Sequence, residues 1–114
     1  MKHSNIKLLF IMRNNENIEN NEYIFLISED KYEYRLALYH YKFSSYSPYT
    51  LNKITHDLEY INQDSLLTKE LNDIIKDSKN VENYKCFDDA EYRNNIITHS
   101  ITHIRKLKIE NIIQ

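Results

Sequence analysis

The sequence predicts an α+β fold, a small single domain with two short strands or a hairpin packed on three to four helices. Three observations point there. Tyr23–Ile27 and Tyr32–Phe43 are rich in aromatic and apolar residues with strand propensity. Leu51, Ile54, Leu58 and Ile61 recur at helical spacing, and so do Ile97, Ile101 and Ile104. A length of 114 residues, 41% of them hydrophobic and 28% charged, suits one folded domain over residues 1–114.

Each element has its own local argument. Ile6–Met12 is apolar and fits either a first helix or a buried strand, which periodicity alone does not separate. Residues 14–22 (NNENIENNE) are polar and low in complexity and read as a loop. Tyr23–Ile27 and Tyr32–Phe43 read as strands around Ser28-Glu29-Asp30-Lys31. On the second, Tyr39, Tyr41 and Phe43 share one face, and Leu36, Leu38 and His40 share the other. A helix through Tyr23–Leu38 is the competing reading. Ser47-Pro48 has the form of a helix entry, a hydroxyl cap before a proline at the first helical position. It leads into the Leu51, Ile54, Leu58, Ile61 stripe, with Asn52, Lys53, His56 and Glu59 on the opposite face. Leu67, Leu71, Ile74 and Ile75 predict another helix, ending near Asn80. Asp88-Asp89 can cap the last one, where Ile96 and Leu107 widen the isoleucine stripe. No internal repeat and no domain linker are visible.

The composition excludes several function classes. The chain has no glycine. A Walker-type phosphate loop, a dinucleotide fingerprint and a glycine-flanked nucleophile turn all require it. Asn, Ile, Lys and Tyr supply 51 of the 114 residues, whereas Pro, Ala and Arg are scarce. Their codons point to a strongly AT-biased genome, so some residue choices report codon supply rather than physics. Asparagine is expected to take over glycine's turn work, because it tolerates left-handed φ. The single cysteine, Cys86, has no internal disulfide partner. The longest apolar run, Leu8–Met12, is too short to span a bilayer, and the first residues lack a signal-peptide core. The cytosol or nucleus is the expected compartment.

The segment Tyr41-Lys42-Phe43-Ser44-Ser45-Tyr46-Ser47-Pro48-Tyr49-Thr50 runs into Ile54-Thr55-His56-Asp57-Leu58-Glu59-Tyr60-Ile61 and then Leu66-Leu67. It resembles a pattern in small winged-helix-like microbial and phage proteins, including the Panacea antitoxin group. The resemblance covers Tyr41–Leu67, and Ser47 and Ser65 stand where that pattern has glycine. It implies a winged-helix-like arrangement and antitoxin or regulatory activity.

The formal net charge is −2, unevenly spread. Arg93, Arg105, Lys106 and Lys108 fall in a stretch with no acid, and the other 98 residues carry 11 basic and 17 acidic groups. A basic strip on an acidic body suits an anionic partner. His99 and His103, at i and i+4, have the spacing of two metal ligands, but no third ligand is at hand, so two polar-face histidines are the expected reading. Asn95, His99, His103 and Lys106 fall on one line of the helix. Cys86 has Lys85 beside it but no sequence-near histidine, and reads as inert. The tyrosines are not expected to be a base-stacking platform, since RNP motifs need glycine, and Tyr39, Tyr41 and Phe43 read as a core face. No paired carboxylates and no triad are found.

The chain is therefore expected to be non-catalytic, with no cofactor and no metal. The leading function is a small nucleic-acid-binding regulator of winged-helix type. Lys53 and His56 would meet DNA on a recognition helix, and Arg93, His99, His103, Arg105, Lys106 and Lys108 would hold phosphate or a partner. The alternative is an accessory or inhibitory protein docking on a larger protein or ribonucleoprotein assembly, for example a ribosome, through its surface helices. No membrane partner is expected.

Overall fold

The computed structural model of the protein describes residues 6–13, 21–40, 45–62, 68–77 and 89–113. Strands β1 (Lys7–Arg13), β2 (Asn21–Glu29), β3 (Glu33–His40), β4 (Ser45–Asn52) and β5 (Leu58–Tyr60) precede helices α1 (Thr68–Asp77) and α2 (Asp89–Ile113). The strands form one sheet in chain order, each antiparallel to the next.

Apolar side chains on both faces of the strands require a cover on both faces. Phe10, Ile24, Leu36, Leu38 and Leu51 pack under Ile96 and Ile104 of α2. Ile11, Tyr23, Phe25, Ala37 and Tyr39 pack on the opposite face under Leu71 of α1. The Tyr39 hydroxyl also donates to Asn72 Oδ1 of α1 at 2.8 Å. Two-sided burial is why Leu36–Tyr39 is continuously buried, where a one-sided antiparallel strand would alternate. A β-bulge between Leu8 and Phe10 puts both Leu9 and Phe10 into the core under α2. Among the described residues no helix is long and apolar enough to cross a membrane.

This architecture corrects the expected fold. Among the described residues, five strands and two helices stand in place of a hairpin on three to four helices, and the arrangement is not winged-helix-like. Of Ile6–Met12, all but Ile6 resolves as strand, and Tyr23–Ile27 and Tyr32–His40 lie in strands or the turn between them, not in a helix. Asn21 and Glu22, assigned to the polar loop, open β2, and residues 14–20 lie outside the described residues. So do Tyr41, Phe43, Leu67, Asn80, Cys86 and Asp88. The helices expected around Leu71–Ile75 and Ile96–Leu107 are present as α1 and α2.

The largest correction is the helix expected after Ser47-Pro48, which is β4, a turn and β5. Leu51 and Leu58 are buried because they face each other across the hairpin, not because they share a helical stripe. Ile54, at the turn, is 85% exposed. Proline is tolerated within β4 for a geometric reason. Its carbonyl accepts from Ile61 N at 3.0 Å, on the β5 side. In antiparallel pairing a residue's N–H and C=O point to the same neighbour, so the missing N–H also points where β5 has just ended.

The β2–β3 and β4–β5 turns manage without glycine through side-chain caps. Asp30 Oδ1 accepts from Tyr32 N at 2.7 Å and Glu33 N at 2.9 Å, closing the β2–β3 turn. Asn52 Oδ1 accepts from Ile54 N at 2.8 Å and Thr55 N at 2.9 Å in the β4–β5 turn. The left-handed position there, φ 61°, is filled by His56 rather than by asparagine.

Candidate functional site

Three charged side chains and one tyrosine ring meet at one end of the sheet. Glu29 ends β2, Lys53 follows β4, Tyr34 lies in β3 and Lys108 is near the end of α2. The two turns are held together there by Lys53 N, which donates to Tyr32 O at 2.9 Å. Glu29 Oε2 accepts from Lys53 Nζ at 2.6 Å and from Lys108 Nζ at 3.1 Å. Both ammonium groups also lie over the Tyr34 ring, 4.9 and 5.4 Å from its centroid.

The shared carboxylate has predictable electrostatics. The hydrogen bond from Lys53, then that from Lys108, holds the Glu29 carboxyl below the ordinary carboxylate range against its partial burial. The same contact with Glu29 lifts Lys108 above the ordinary lysine value. Asp30 beside them is held low by the Tyr32 and Glu33 backbone N–H groups. Lys53 and Lys108 share the Glu29 carboxylate, and Lys53 also feels the charge of Asp30.

Next to this cluster a cleft of about 420 Å³ opens between α2 and the sheet. Leu26, Ile104 and Leu107 give it hydrocarbon, and Lys7, Glu29 and Lys108 give it charge. A second β-bulge, between Leu26 and Ser28, falls in its wall.

The expected site residues scatter. Lys53 and His56 sit in the β4–β5 turn, and no recognition helix presents them. Arg93 donates through Nη2 to the Leu58 carbonyl, tying the first turns of α2 to the β5 edge. His99 and His103 do not line an open face: both rings pack on Phe10, with centroids 5.6 and 5.4 Å away. His103 Nδ1–H donates to the His99 carbonyl at 2.7 Å. Among the described residues no cluster of three metal-ligating side chains forms. Arg105 and Lys106 are exposed on the outer side of α2. Lys108 alone of the strip joins the cluster at Glu29. Sequence reasoning missed Lys7, Glu29 and Tyr34. Glu29 and Tyr34 flank one turn, but the lysines they meet, Lys53 and Lys108, are distant in the chain, so no local motif marks them.

No protein family matches this sequence, and no curated protein or solved structure is detectably similar to it.

Proposed function

We propose that this chain is a non-catalytic docking protein that engages a larger protein partner through the outer face of α2. The observation that carries the reading is how the basic strip is divided. Arg93 and Lys108 are turned to structural contacts with Leu58 and Glu29. Arg105 and Lys106 stay exposed, and Ile109, 56% exposed, lies on the same helix face at i+4 and i+3. An apolar side chain flanked by two cations suits an acidic protein surface with an apolar centre. A nucleic-acid partner is less favoured, because two adjacent cations neutralise few phosphates.

The test is a binding titration with the partner isolated alongside the native protein. Arg105→Glu/Lys106→Glu is expected to abolish binding while leaving the melting temperature unchanged. Intact binding by this variant would overturn the reading. Binding to duplex DNA that falls steeply with salt would transfer the function to nucleic acid.

A further inference from the structure

The cleft between α2 and the sheet belongs to the inner side of the helix, apart from the docking face. Its volume of about 420 Å³ lies in the range that holds small ligands. We propose that it binds a small amphipathic monocarboxylate, with the hydrocarbon body on Leu26, Ile104 and Leu107 and the carboxylate held by Lys7 and Lys108.

Charge selects the anion. Lys7, Lys108 and Glu29 in the lining sum to a single positive charge, which one carboxylate neutralises. Glu29 is already engaged by both Lys53 and Lys108 through one oxygen. An ammonium group carries three donors, and Lys108 gives one of them to Glu29. Lysines act here as point charges and offer no planar fork of the kind that guanidinium provides.

Geometry selects the body. From Leu26 to Glu29 a strand advances only about 10 Å. From Ile104 to Lys108 the helix rises about 6 Å. An aliphatic or aromatic acid of medium length fits that span, and a long acyl chain does not. The bulge between Leu26 and Ser28 interrupts the β2–β3 ladder at this wall, a placement common beside binding sites.

The test is an amide NMR titration of the whole protein with octanoate, octanol and acetate at low salt. Octanoate is expected to shift Leu26, Ser28, Ile104 and Leu107 saturably and to bind about tenfold more tightly than octanol, the equivalent of about 1.4 kcal/mol. Acetate, lacking the body, is expected to give no saturable shift. Lys7→Glu, at an exposed position, is expected to weaken octanoate about tenfold and leave octanol unchanged. Absence of saturable octanoate binding would overturn the proposal. So would equal affinity for octanol, shifts lying away from the cleft, or full octanoate affinity in Lys7→Glu. The octanoate–octanol comparison needs no variant, so a folding defect in Lys7→Glu leaves the decision intact.

Discussion

Ser100 carries its hydroxyl into the α2–sheet interface, where it is fully buried and has no hydrogen-bond partner. An unpaired buried hydroxyl costs desolvation without return, and alanine is the better helix former. Ser100→Ala is therefore expected to raise stability by about 0.5–2 kcal/mol, read from denaturant midpoints at constant slope. A loss of stability would mean that the hydroxyl is satisfied in solution. His56 makes a comparable case on the backbone. Its left-handed φ disfavours any residue with a Cβ, so His56→Gly is expected to be neutral or to stabilise by up to about 1 kcal/mol. At Glu29 the lowered pKa sets a sign. Its contribution is complete above the ordinary carboxylate value of about 4.3 and fades as pH falls through the lower folded value. Lys108, raised, contributes fully below about 10.4 and loses its share as pH climbs through its folded value. The Tm gap between the protein and Glu29→Gln should thus be widest at neutral pH and close on acidification. A gap that persists at the acid end would remove the ion cluster as its cause. The sequence marked Lys53 and Lys108 as notable, but for DNA or partner binding. Their common acceptor lies 24 positions from one and 79 from the other, and only the closed sheet brings the three together.

The hairpin of β4 and β5 shows why one element was misread while its neighbours were legible. Leu58 lies seven positions after Leu51. That interval is two helical turns, and here it is also the spacing of partners across a five-residue turn. Ser47-Pro48 reinforced the helical reading, because nothing local reveals that the proline's bare nitrogen side faces the end of a short edge strand. β2 and β3 read as strands from their dense aromatics, with a helix through Tyr23–Leu38 as the competitor, and α2 reads as a helix from its isoleucine repeat. A pair of substitutions separates the two geometries. Leu58→Ala is expected to cost about 2–5 kcal/mol, the usual range for a buried leucine. Ile54→Ala, at an exposed turn, is expected to stay within about 0.5 kcal/mol. A shared helical stripe would make both costly. Equal losses in thermal melts would restore the helix.

At the scale of the molecule, the sheet divides two cores that do not share side chains. Leu71→Ala under α1 and Ile104→Ala under α2 are each expected to be severely destabilising, yet additive within about 0.5 kcal/mol, since no partner is common to both. A larger coupling energy in the double mutant would mean that strain crosses the sheet. Strand pairing is entirely between sequence neighbours, which favours rapid folding of the sheet by successive hairpins. That order has a cost during translation. The sheet can be complete once Tyr60 has left the ribosome, but its cover for Phe10, Leu36 and Leu38 is α2, which ends at Ile113. At about 5–20 residues per second, an apolar sheet face waits roughly 3–10 s for its helix. The nascent chain is thus most prone to aggregate during this interval, and a chaperone that grips apolar sheet surfaces has its opening then.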